Sequence, residues 1–134
     1  MLLYLTFETD RFNRTEAKDY YINPNCFGDD LAQWLVMQLE HRNIKVGNVG
    51  QEDWGWEVQC TFAGSSYFMS IGSVAGTEED GNFGEWRIYL TRQCSLIGRI
   101  FGKDRMHREE GIIAVLYAIL NDAKFANIQC GGEA

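Results

Sequence analysis

Apolar side chains recur at every second position through the middle of the chain, which is the spacing of a strand with one buried face. The clearest run covers 54–62, and its apolar positions are Trp54, Trp56, Val58, Cys60 and Phe62. A small polar turn separates this run from a second one at 67–72, so we predict an antiparallel β-hairpin with Trp54, Trp56 and Val58 on the side that the helices cover. Residues 86–90 alternate in the same way, residues 2–7 are apolar and aromatic enough for a central strand, and residues 44–49 predict a shorter edge strand.

Two other segments have the apolar spacing of helices. The first covers 23–43, where Asn23 and Pro24 are typical of a helix start and the acids Asp29 and Asp30 suit the first turns. The second covers 107–122 and is apolar on nearly every side from Ile112 onward. The element order is therefore β-α-β-β-β-β-α. It predicts a single α+β domain over residues 1–134, with an antiparallel sheet of four to five strands and two helices packed on one face.

The composition is that of one packed domain. Of the 134 residues, 46% are hydrophobic and 13% aromatic, which indicates a buried core and not a disordered chain. The longest apolar run, 112–120, is about half of the ~20 residues that a membrane-spanning helix needs. The N-terminal apolar run has neither the basic flank nor the cleavage site of a signal peptide. We therefore expect a cytoplasmic protein with no membrane partner.

Charge and cysteine spacing argue against several kinds of site. The net charge is −7, which disfavours a nucleic-acid partner even though residues 91–108 form a basic segment. The four cysteines stand singly, with no C-x-x-C pair and only two histidines to join them, so we expect no metal, no cofactor and no disulfide framework. The segment GRIFGKDR, 98–105, lacks the spacing of a phosphate-binding loop.

The motif QEDWGW is the strongest candidate for a binding site. Its carboxylates, Glu52 and Asp53, could hold an arginine or an ammonium group, and the indole of Trp54 could add a cation–π contact of ~0.5–2 kcal/mol. The glycine between the tryptophans leaves space for a close-approaching backbone or ligand. In the alternative interpretation, the tryptophans fill the core and the acids form a solvated turn. Asp29 and Asp30, which the helix dipole already explains, join this site only if the helix begins near the turn.

Two sequence motifs resemble those of a group of small bacterial proteins with no assigned activity. These motifs are YINPNCFGDDLAQWL, 21–35, and QEDWGW, and an apolar helix after LIGRIFGKD adds to the likeness. The resemblance covers most of residues 20–128 and implies a compact bacterial domain, but it carries over no catalytic residue. The chain differs from that group at 130–132, where Cys-Gly-Gly stands in place of an aromatic residue.

Two functions remain open at this point. The favoured one is a non-catalytic binding protein whose acidic surface docks a basic protein partner, as bacterial immunity proteins dock basic toxins, because charge complementarity speeds association and selects partners. The alternative is a small-molecule pocket or an enzyme centred on Glu52, Asp53 and Trp54, with one carboxylate as general base. The candidate binding residues are Glu52, Asp53, Trp54, Asp29 and Asp30, and the sequence predicts no catalytic residue.

Overall fold

The computed structural model describes residues 3–13, 18–19, 27–52, 55–74, 84–93 and 111–132. Within these ranges the chain forms two helices and six strands. In chain order they are β1 (Leu3–Thr9), α1 (Asp29–His41), β2 (Lys45–Glu52), β3 (Gly55–Phe62), β4 (Ser65–Ser73), β5 (Gly84–Arg92), α2 (Gly111–Asp122) and β6 (Ala126–Gly131). The predicted α+β class is confirmed.

The strands form one antiparallel sheet in the order β2-β3-β4-β5-β1-β6. The prediction of four to five strands was wrong, because the sheet has six. The missed strand, β6, reads ANIQCG: Ala126, Ile128 and Cys130 alternate with polar residues or glycine, but only Ile128 is a large apolar residue, so the strand signal is weak. It is held at the sheet edge by its pairing with β1.

The predicted hairpin is confirmed as β3 and β4. Ala63 and Gly64 both have positive φ, 51° and 81°, which is the backbone of a two-residue type I′ turn. This tight turn brings Phe62 opposite Ser65, so β4 extends beyond its predicted bounds at both ends, whereas β3 ends at the predicted residue. One side of the hairpin is buried, and its members are Trp56, Val58, Cys60, Tyr67, Met69 and Ile71. Trp54 lies outside the described residues.

Helix α1 begins at Asp29, later than the sequence pattern predicts, and Asn23 and Pro24 lie outside the described residues. Gly28 precedes the first turn with a φ of 135°, and a Cβ there would lie 3.2 Å from Trp56 Cδ1 and 3.5 Å from Trp86 Cζ3. The glycine therefore lets the helix start sit directly on the sheet. From there α1 buries an apolar stripe, Leu31, Ala32, Trp34, Leu35 and Leu39.

Both helices pack on the same side of the sheet. Helix α1 connects β1 to β2 and helix α2 connects β5 to β6, and in each case the two joined strands run in the same direction. Connections between two strands of the same direction are right-handed in almost all proteins. Strands β1 and β5 run in opposite directions, and their connections lead to opposite edges of the sheet. Two right-handed connections of this kind place both helices on the same face. Their buried side chains share a single core cluster with those of the strands.

Candidate functional site

The sheet face turned away from the helices, which we call the open face, carries polar and aromatic side chains. Cross-strand pairing arranges them in rows: Glu57 pairs with Ser70, Ser70 with Tyr89, and Tyr89 with Tyr4. Most of these side chains are only partly buried, whereas the alternate positions facing the helices are fully buried. Within the described part of the chain, the open face is thus the one large surface that neither helix covers.

The structure places Glu52 at the end of β2, paired with Gly55, and the strand register turns its side chain to the open face. Glu57 lies on the same face, diagonally across from it. Partial burial, and secondly the charge of Glu52, raise the pKa of Glu57. We call these two residues the acidic corner. Sequence reasoning missed Glu57 because it stands at an ordinary polar position of an alternating strand. Asp53 and Trp54 lie outside the described residues.

Asp29 and Asp30 are placed at the start of α1, on the other side of the sheet from Glu52. The Asp30 carboxylate accepts hydrogen bonds from the backbone N–H groups of Asn13, at 2.8 Å, and Leu31, at 2.9 Å. It therefore ties the segment after β1 to the helix, which is a role within the fold. Asp29 is buried, with 5% of its surface exposed. Gly28, just before the helix, lies close to Trp56 on β3, but the sheet separates these two acids from the acidic corner.

A cleft opens at the other end of the open face, where β5, β1 and β6 lie side by side. Its volume is ≈ 150 Å³, and its lining residues are Tyr4, Thr6, Glu85, Arg87, Gln129, Cys130 and Gly131. We call it the arginine cleft. Arg87 pairs with Thr6 across the strands, so its side chain rises from the middle of the sheet.

Three neighbours fix the position of the Arg87 guanidinium. Its Nη1 donates to Tyr89 Oη at 3.2 Å, its Nε lies 3.5 Å from Glu85 Oε2, and its Cζ lies 4.9 Å from the centre of the Tyr4 ring. The hydrogen bond to Tyr89 is the largest cause of a raised pKa at Arg87, so the group stays charged. The arrangement presents a planar cation beside a carboxylate, with an aromatic ring against it.

Gly131 makes room for this arrangement on the last strand. It pairs with Tyr4, and a Cβ at that position would lie 2.5 Å from Tyr4 Cε2 and Cζ. The Tyr4 ring therefore lies on the backbone of Gly131. The resemblance to the bacterial proteins led us to expect an aromatic residue in the segment 130–132, where this chain has Cys-Gly-Gly. The sequence contains no motif for the arginine cleft, because it is assembled from three strands distant along the chain.

The remaining metal-ligating side chains of the described ranges are not grouped together. Among the described residues no three histidine, cysteine or acidic side chains converge as metal ligands. Cys60 is a fully buried thiol whose pKa burial raises to about 11. No helix in the described ranges is long and apolar enough to cross a membrane.

The chain matches no protein-family model, no curated protein and no solved structure. The resemblance to a group of small bacterial proteins therefore stays a prediction, as does the alternative of an enzyme centred on Glu52, Asp53 and Trp54.

Proposed function

We propose that the protein is a non-catalytic binding protein that docks a basic protein partner on the open face, in the manner of an immunity protein. The observation that carries this proposal is the open face itself, a complete side of a six-stranded sheet that neither described helix covers. The net charge of −7 favours a partner of opposite sign, because long-range attraction raises the rate of encounter.

The open face has the dimensions of a protein interface. Six strands at ~4.8 Å spacing and seven residues at ~3.3 Å rise span about 24 Å by about 23 Å, on the order of 550 Å² before side-chain relief is added. A standard interface buries roughly 800 Å² on each partner, so the open face with its rim is large enough. Its partly exposed aromatic side chains, Phe68 and Tyr89, are of the type enriched in interfaces.

The acidic corner indicates where the partner's positive charge would bind. Partial burial of Glu57 and the negative charge of Glu52 both disfavour the charged form of Glu57, and they raise its pKa. A guanidinium or ammonium placed between the two carboxylates would relieve this repulsion and form charge-assisted hydrogen bonds. Gly72 on β4 is only partly buried and carries no side chain on the open face, which leaves space there for a partner's side chain.

The experiment compares capture of partners from a lysate of the native host by three forms of the protein. One form is the wild type, and the second carries Glu52→Gln with Glu57→Gln. The third carries Asp10→Asn with Glu40→Gln, which changes two exposed acids outside the acidic corner and so matches the change in net charge. Captured proteins are identified and quantified by mass spectrometry.

We expect the wild type and the control to retain the same basic protein and the acidic-corner variant to lose most of it. Binding of that protein, once purified, should weaken steeply as salt is added, because the contacts are between charges that salt screens. Equal retention by all three forms, or a captured partner whose affinity is independent of salt, would show that the acidic corner is not the docking site.

A further inference from the structure

We propose that the arginine cleft is a binding site for the zwitterionic head of a small α-amino acid, separate from the acidic corner. One strand, β4, lies between the sites, since Glu57 is on β3 and Arg87 on β5. The proposal therefore does not depend on the partner docking described above, and the two can fail independently.

The Arg87 guanidinium has free capacity to bind a carboxylate. Its position is set by Tyr89, Glu85 and Tyr4, yet within the described residues its Nη2 donates to no protein atom. About a third of the side chain, 35%, is exposed. A guanidinium that is already held in place loses little conformational freedom when a carboxylate binds across its two Nη atoms, and such bidentate, charge-assisted pairs are among the strong hydrogen bonds of proteins.

Glu85 supplies the second half of the recognition. Its carboxylate is 3.5 Å from Arg87 Nε and is itself 31% exposed, so a negative and a positive group stand next to each other at the cleft. An α-amino acid has its carboxylate and ammonium groups on one carbon, with the same close spacing and the opposite polarity. A simple anion would gain the contact with Arg87 but would be repelled by Glu85 and by the acidic protein as a whole.

The far wall of the cleft is held by a chain of hydrogen bonds. Asn127 Nδ2 donates to Glu8 Oε1 at 2.7 Å, and Gln129 Nε2 donates to Asn127 Oδ1 at 2.9 Å. Asn127 has a φ of 55° at the point where the β6 register shifts, so this part of β6 is shaped to bring Gln129 over Thr6. Gln129 retains its amide oxygen and one N–H for a ligand. The volume of ≈ 150 Å³ admits a ligand of several non-hydrogen atoms and no large side chain.

The test is an NMR titration in which alanine is added to isotope-labelled protein and the amide chemical shifts are measured. Acetate and methylamine are titrated in the same way, as probes that carry only the carboxylate or only the ammonium group. We expect alanine to give saturable shifts in the millimolar range at residues of β1, β5 and β6. Acetate and methylamine should each bind at least about tenfold more weakly, because each lacks one charged contact. An equal response to acetate, or no saturable response to alanine, would overturn the proposal.

Four variants assign the contacts. Arg87→Gln should lose alanine binding by at least about tenfold, and Glu85→Gln should weaken alanine while strengthening acetate. Gly131→Ala should block the binding of both alanine and acetate without changing any charge, because the added methyl group displaces the Tyr4 ring. Thr91→Ala, on the open face but outside the cleft, is the matched control and should bind alanine normally. Normal alanine binding by well-folded Gly131→Ala and Arg87→Gln variants would exclude the cleft as the site.

Discussion

Replacing Gly55 with alanine is the sharpest test of how the hairpin is built. Gly55 is buried at the start of β3 with a φ of 150°, a conformation that residues with a side chain rarely adopt. A Cβ at this position would overlap the carbonyl oxygen of Ile71 and lie 3.3 Å from its carbonyl carbon and 3.8 Å from Gly72 Cα. All three are backbone atoms of the neighbouring strand, so no side-chain rotation can relieve the overlap.

Two costs add in this variant. A residue other than glycine in this region of φ and ψ costs ~1–3 kcal/mol. Moving the backbone of β4 to admit the methyl group costs a further ~1–3 kcal/mol, as overpacking of a close-packed interior does. The sum of about 2–6 kcal/mol is a large part of the ~5–15 kcal/mol that stabilises a domain of this kind.

Urea unfolding followed by tryptophan fluorescence measures the change. Gly50→Ala is the matched control, because Gly50 lies on the adjacent strand without a positive φ, and a methyl group there would have no neighbouring atom within 4 Å. Its free energy of unfolding should stay within ~0.5 kcal/mol of the wild type. If Gly55→Ala unfolds at the same urea concentration as Gly50→Ala, then β3 and β4 do not approach each other closely at this residue.

Two further predictions concern titratable groups. The pKa of Glu57 is raised in the folded protein, so the charged carboxylate destabilises the folded state at neutral pH. This penalty is lost as the pH falls, first through the pKa of Glu57 in the folded state and then through its lower pKa in the unfolded state. Glu57→Gln should therefore stabilise the protein at neutral pH and have no effect in strong acid, and a pH series of urea melts would contradict this if the gain were the same throughout. Cys60, with a pKa of about 11, should resist alkylation in the native protein at mildly alkaline pH, because only the thiolate reacts. After denaturation without reductant all four cysteines should be alkylated, and a disulfide found by mass spectrometry would overturn the predicted absence of a disulfide framework.

Local periodicity was sufficient to predict most of the elements. The alternation of β3, β4 and β5 identifies each strand and its buried side, because successive side chains of a strand point to opposite faces whatever its partners are. The apolar stripe of α1 is equally local. The last strand was missed because its alternation is weak: Ile128 is the one large apolar residue of β6, and the strand is held by pairing with β1, at the other end of the chain.

The same distinction applies to the candidate sites. Glu52 could be singled out from its neighbours in the sequence, because the QEDWGW motif is contiguous. Its placement beside Glu57, and apart from Asp30, depends on strand register and on which face the helix covers. The arginine cleft was decided entirely by tertiary structure. The Arg87 guanidinium lies against the Tyr4 ring because antiparallel pairing brings Tyr4 near it and a glycine on β6 makes room for the ring, and contacts between such distant segments are absent from any local pattern of residues.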